Sequence, residues 1–278
     1  MKKIRILITF FLLPLLSVGQ TLVQELDNGL LIYKKFDKFG IGQNDQVEYI
    51  FDSIYYPKYE NYIMLQKNNL WGTWDIEMNQ ILPFEYEAIR LTRYKNEKER
   101  GMFFVKKNGK LGTVDKKNKV VIPLVYDDIS RLNEHNPGVH YVVRNGKTGI
   151  SSFKGEIIIP VEYDSLYYFR NQDLIKAKKN NLVGVLNSKN KVLIPFKYQN
   201  IIFDFYDDSR PIYDLESGNL RFVVKENNVW SLINFKGDKL EDNISEKEIL
   251  ERYGKYEIKN YDFYYATVCL IDKDKNYR

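Results

Sequence analysis

The chain is nearly without cysteine: Cys269 is the single one in 278 residues. A lone thiol excludes an internal disulfide and a paired-cysteine zinc site. It sits in the apolar run Thr267–Ile271, where the expectation is a buried, inert thiol on a strand. Histidine is almost as scarce, with His135 and His140 alone, beside Glu134. Pro137-Gly138 between them favours a solvated loop over a metal site. No glycine-rich phosphate loop and no nucleophile elbow is present. Charge of one sign is also lacking. The formal net charge is +5, but Lys2, Lys3 and Arg5 lie at the extreme N-terminus, so without residues 1–19 it is about +2. That removes the electrostatic basis for nucleic-acid binding. The single long apolar run, Ile6–Leu16, is too short to span a bilayer.

That run follows a basic start and precedes Ser17-Val18-Gly19, which reads as a secretory signal peptide cleaved after Gly19. No cysteine follows it, so a lipid anchor is not expected. The mature chain is then periplasmic or secreted and carries no membrane span.

The 22 Tyr and 16 Phe favour pleated, half-buried surfaces and lean the composition toward sheet. A repeat organises them. Asn68-Asn69, Asn108-Gly109, Asn145-Gly146, Asn180-Asn181 and Asn227-Asn228 each separate two apolar runs. Such pairs tolerate the positive φ of a two-residue hairpin turn. Four positions after the first Asn stand Gly72, Gly112, Gly149, Gly184 and Ser231. Further on come Pro83, Pro123, Pro160 and Pro195, then Tyr86, Tyr126, Tyr163 and Tyr198, then Ile89, Ile129, Leu166 and Ile201. The glycine permits a close approach. Proline lacks a donor and belongs at a bulge or strand end. An altered first copy is placed at Asn28-Gly29, with Phe51 and Ile54 at the Tyr and Ile positions.

The frame predicts an all-β fold, a tandem array of about six three-stranded meanders over residues 20–243, each unable to bury its apolar face alone. Altered end copies favour an open stack over a closed propeller. Residues 244–278 read as a cap. Ser245-Glu246-Lys247-Glu248 starts a helix over 245–253, Gly254 stops it, and Tyr261–Ile271 forms a last strand.

Leu70-Trp71-Gly72-Thr73-Trp74-Asp75, followed by Ile81-Leu82-Pro83 and Tyr86, resembles the bacterial WG-repeat family. Gly109-Lys110-Leu111-Gly112-Thr113-Val114-Asp115 with Val121-Ile122-Pro123 and Tyr126-Asp127 is similar, with leucine for tryptophan. The third copy, from Gly146 to Tyr163-Asp164, also lacks tryptophan, and the last keeps Trp230 but has Ser231 and Asp242 for Gly and Pro. The resemblance implies a β-repeat module common in bacterial exported and surface proteins, with no catalytic residues or cofactor to carry over.

The acids after the tyrosines, Glu87, Asp127 and Asp164, recur and therefore read as structural. Asp204, Asp207, Asp208 and Asp214 crowd one segment but lack the EF-hand spacing. Lysines near the turns (Lys106, Lys107, Lys110, Lys116, Lys117, Lys119, Lys176, Lys178 and Lys179) could form a basic edge, though protection of strand edges explains them better. The expected function is a non-catalytic binding or scaffold module with protein or cell-envelope glycan partners. Its contact surface would be the variable joins Asp204–Asn219 and Arg93–Gly101. A carbohydrate-binding surface protein and a hydrolase with carboxylates between repeats are the alternatives.

Overall fold

The computed structural model describes residues 19–26, 28–43, 47–57, 61–91, 102–131, 139–169, 173–203 and 220–257. The signal-peptide run, His135, Cys269, the four-aspartate segment and the expected last strand lie outside them. The chain divides into two units, Met1–Phe84 and Glu85–Arg278, each taken here by itself.

The first unit holds two sheets. The first has β1 (Thr21–Glu25), β2 (Leu31–Lys35) and β3 (Lys38–Gly42). The second has β4 (Ser53–Tyr55), β5 (Tyr62–Lys67), β6 (Leu70–Asp75) and β7 (Gln80–Tyr86). In the second unit the third sheet comprises β8 (Ala88–Leu91), β9 (Met102–Lys107), β10 (Lys110–Asp115) and β11 (Val120–Tyr126). The fourth comprises β12 (Asp128–Arg131), β13 (Val139–Arg144), β14 (Lys147–Ser152) and β15 (Ile157–Tyr163). The fifth comprises β16 (Ser165–Phe169), β17 (Leu174–Lys179), β18 (Leu182–Asn187) and β19 (Val192–Tyr198). The sixth comprises β20 (Asn200–Phe203), β21 (Arg221–Glu226), β22 (Val229–Asn234) and β23 (Lys239–Ile244), and helix α1 (Glu246–Glu257) follows.

Each sheet is an antiparallel meander with neighbours in chain order. The repeat is therefore all-β as expected, but its full unit has four strands, not three. The extra strand is the short segment carrying Ile89, Ile129, Leu166 or Ile201, which opens a new sheet. The tyrosine closes one sheet, one linking residue follows, and the isoleucine or leucine is the second residue of the strand that opens the next.

The turns follow their chemistry. The five Asn-led pairs from Asn68-Asn69 to Asn227-Asn228 have both residues at positive φ, for example Asn108 at 52° and Gly109 at 73°. The first copy departs from expectation. Its equivalent hairpin is Phe36-Asp37, between β2 and β3, with Phe36 at φ 54°. Asn28-Gly29 instead joins β1 to β2. Phe39 and Gly40 therefore hold the Trp and Gly positions, and Phe39 pairs with Phe51 as Leu111 pairs with Tyr126.

Proline sits at a bulge, as expected. Leu111 pairs with Tyr126 and Thr113 with Ile122, so two steps along β10 face four along β11, with Pro123 in the excess. The same slip recurs between β14 and β15 and between β18 and β19. The bulged backbone presses on the repeat glycine. A Cβ on Gly112 would stand 2.6 Å from the Ile122 carbonyl oxygen, and one on Gly149 2.7 Å from that of Ile159. In the last copy Ser231 replaces glycine, the proline position is Asp242, and the serine hydroxyl donates to that carboxylate at 2.6 Å.

Sheets in the second unit pack in succession. The forward face of the third sheet (Phe104, Leu111, Ile122, Tyr126) meets Ile129 and Val142 of the fourth. Ile150, Ile159 and Tyr163 of the fourth meet Leu166, Ile175, Ala177 and Leu186 of the fifth. Leu174, Val183, Val185, Ile194 and Tyr198 of the fifth meet Ile201, Phe222, Val224 and Ile233 of the sixth. Each such aliphatic side chain contributes about 1.5–3 kcal/mol on burial, so neighbouring repeats supply the core that one sheet lacks.

Candidate interaction surface

In the second unit a meander puts its middle hairpin at one end and its two other connections at the opposite end. The one-residue links between sheets keep that polarity from repeat to repeat. One end therefore carries the Asn-led hairpins, and the other carries the first-to-second-strand connections.

The hairpin end is occupied by structural polar contacts. The Gly109 amide donates to Glu87 at 2.9 Å, Asn145 to Asp127 at 2.6 Å, Asn181 to Asp164 at 3.1 Å and Asn228 to Gln199 at 2.7 Å. The linking acid thus clamps the hairpin of the sheet that it opens, and the structural reading of Glu87, Asp127 and Asp164 holds. Lysines complete these clamps. Lys110 reaches Asp127 at 2.5 Å and Lys147 pairs with Asp164. Those lysines hold the Asp127 and Asp164 carboxyls below the usual range, with the hairpin amides as the next cause. Lys106, Lys107 and Lys179 pair with Glu87, Glu85 and Glu162 at 3.9, 2.8 and 3.0 Å. These five lysines thus meet acids of the neighbouring sheet or of the links between sheets, whereas Lys116, Lys117 and Lys119 are exposed at the turn between β10 and β11.

A second recurring device was not singled out from the sequence. Asp115 Oδ1 accepts the amides of Lys117 and Lys119 at 2.8 and 2.9 Å. Ser152, Asn187 and Asn234 make the same turn in later copies. The left-handed residue of that turn then serves the preceding tyrosine: the Tyr163 hydroxyl donates to Asn190 at 3.1 Å, and Tyr86 donates to Asn118. Side-chain oxygen three places after the repeat glycine was the available signal.

The opposite end is rooted in buried side chains. Met102 and Leu174 start second strands, Leu220 stands just before one, and all three are buried. The Arg90 guanidinium lies over the Phe104 ring at 5.9 Å, and Phe104 meets His140 edge-on at 5.3 Å. His140 is fully buried on β13, which corrects its expected place in a solvated loop: its strand neighbours turn it into the inter-sheet core. The Tyr168 amide donates to the Tyr141 hydroxyl at 3.0 Å, tying the fifth sheet to the fourth. Asp173 accepts the Ser188 amide at 2.9 Å.

Residues 92–101, 132–138, 170–172 and 204–219 stand in the sequence between the first and second strands of the third to sixth sheets. The expected joins Arg93–Gly101 and Asp204–Asn219 are therefore connections within a sheet rather than between repeats, and they lie outside the described residues. Among the described residues no group of His, Cys, Asp and Glu is arranged to hold a metal ion. No helix there is long and apolar enough to cross a membrane.

No curated protein sequence matches the chain. Among solved structures, Hsv2p of Kluyveromyces lactis aligns at 10% identity over 78% of this chain and 74% of its own, with a TM-score of 0.31. The N-terminal domain of Nup159 aligns at 10% identity over 82% of this chain and 81% of its own, with a TM-score of 0.30. The model of the WG-containing repeat matches residues 112–147, 150–182 and 184–230 in tandem. These are residues whose glycine, bulge and turn geometry recurs, and over them the chain carries three tandem copies that match the WG-containing repeat.

Proposed function

We propose that the protein is an exported, non-catalytic binding or scaffold module that meets protein or envelope-glycan partners with the loop end of its repeats. One observation carries the reading. The polar groups that recur in the repeat are engaged in clamps and turns, whereas the connections of unequal length all leave from the opposite end. Variable loops on a fixed scaffold are where recognition concentrates. Residues 204–219 hold Asp204, Asp207, Asp208, Asp214 and Glu216 among Phe205, Tyr206, Tyr213 and Leu215. Acids interleaved with aromatics suit a cationic peptide face or a hydroxyl-rich glycan.

The test replaces residues 204–219, and separately 93–100, with Gly-Ser linkers of equal length. Binding to isolated sacculi and to cross-linked envelope proteins is then compared with that of the parent. The expected result is lost capture with a melting temperature within about 3 °C of the parent, because the replaced segments lie outside the shared frame. A large loss of stability, or unchanged capture in both variants, would count against the reading. Export is checked by the N-terminus of the mature protein in cell fractions. Gln20 as first residue in the periplasm or medium supports it, and Met1 retained in the cytoplasm refutes it.

A further inference from the structure

The hairpin between β2 and β3 breaks the repeat's rule at its tip. In the five later copies the tip is Asn-Asn or Asn-Gly, residues that accept a left-handed backbone readily. Here Phe36 holds that position, at φ 54°. A bulky residue is strained there, because its Cβ crowds the following carbonyl. Packing does not offset the strain. Phe36 is 68% exposed, more than any other large apolar side chain among the described residues. A clamp does not offset it either. The Asn69 amide donates to Asp52 at 2.9 Å, and later tips bond to their linking side chains in the same way. Among the described residues neither Phe36 nor Asp37 makes such a bond. An aromatic ring kept in solvent on a strained backbone indicates a use outside the fold.

The surroundings narrow that use. Lys34, Lys35, Phe36, Asp37 and Lys38 are exposed in succession. Lys38 is paired with Asp52, so those two charges cancel. Lys34 and Lys35 meet no acid among the described residues. Their ammonium groups lie over the rings of Phe39 at 5.3 Å and Tyr49 at 5.9 Å. Thr21 pairs with Lys34, so β1 runs beside the hairpin, and it exposes Leu22 and Val23 at 52% each. The patch is a projecting aromatic tip with two cations beside it, opposed by Asp37 alone.

We propose that the Phe36 hairpin is a contact with an anionic lipid surface. Phe36 enters the boundary between headgroups and acyl chains, and Lys34 and Lys35 stay at the level of the lipid phosphates. A bilayer accepts a projecting ring anywhere on its surface, whereas a protein partner would have to supply a matching pocket. The contact is peripheral, and it is separate from the loop end of the second unit. Each of the two lysines contributes about fivefold to partition, and that share fades as salt rises.

The test is co-sedimentation of the chain from Gln20 onward, so that the apolar run Ile6–Leu16 cannot itself bind lipid. The vesicles are phosphatidylglycerol mixed with phosphatidylcholine, or phosphatidylcholine alone. The parent is expected to bind the mixed vesicles at least about tenfold more tightly than the neutral ones, and less tightly as salt is added. Phe36→Asn restores the residue of the other tips. It should weaken binding about tenfold while the melting temperature stays level or rises. Phe36→Trp should bind as the parent does, and Lys34→Gln with Lys35→Gln should lose the preference for anionic vesicles. No binding of the parent to mixed vesicles would overturn the proposal, as would unchanged binding by Phe36→Asn. A clear fall in the melting temperature of Phe36→Asn would also overturn it, because the fold itself would then hold the ring. Capture of an envelope protein that Phe36→Asn abolishes, with no vesicle binding by the parent, would assign the tip to a protein partner instead.

Discussion

At the residue scale, two positions set the repeat. The glycine is needed because the proline bulge brings a carbonyl oxygen onto its α-carbon. Gly149→Ala would put a methyl 2.7 Å from the Ile159 oxygen and 2.8 Å from a Val161 methyl. The expected cost is about 1–3 kcal/mol, measured by urea unfolding. Ser231 shows the one tolerated exception, where the proline has gone and the hydroxyl gains a carboxylate acceptor. The linking acid is the second position. Asp164 accepts the Asn181 amide and pairs with Lys147. Asp164→Asn keeps an oxygen for the amide but loses the charge, so it should cost less than Asp164→Ala, which should lose about 1 kcal/mol at this partly exposed site. Equal losses would mean that the amide bond contributes nothing.

At the element scale, the hairpins were legible because asparagine and glycine are chosen for positive φ, and every Asn-led turn between two apolar runs is where turn chemistry puts it. The first hairpin was misplaced for the same reason. Phe36 adopts φ 54° with a side chain that gives no such signal, while Asn28-Gly29 turns the chain between β1 and β2. The opening strand of each sheet was missed because it is only four or five residues long in the second unit and follows directly on the tyrosine. The start of α1 was readable from Ser245. Its end was not, since the helix passes Gly254 and runs to Glu257. Ser245→Ala removes the cap of α1 and should cost about 1 kcal/mol of local stability, seen as faster amide exchange in Glu246–Glu257 with β21 and β22 unaffected.

At the scale of the whole molecule, stability should have two pH limits. The carboxyls of Asp52, Glu85, Asp127 and Asp164 are held below their ordinary values, each first by a lysine: Lys38, Lys107, Lys110 and Lys147. A group whose folded value is lowered contributes stability that is complete above its unfolded value, about 4, and is lost as pH falls through the folded value. Tyr86, Tyr126 and Tyr163 are pushed up, first by burial, with Tyr163 at about 12. Their contribution is complete below the unfolded value of about 10 and is lost as pH rises through the folded one. A melting temperature that is flat between about pH 5 and 9 and falls on both sides is expected. Replacing Asp52, Asp127 and Asp164 together by Asn should flatten the acid side alone, as followed by circular dichroism.

What the sequence by itself determined is periodic and local: which residues turn the chain, where proline breaks the ladder, and that recurring acids serve the frame. These follow from φ preferences and donor counts that each short segment carries with it. Only the tertiary structure decided which strands share a sheet, that the linking acid reaches the hairpin of the sheet it opens, and that His140 is core. Those depend on contacts between segments well apart in the chain, as between Asp164 and Asn181, which packing selects and no local propensity encodes.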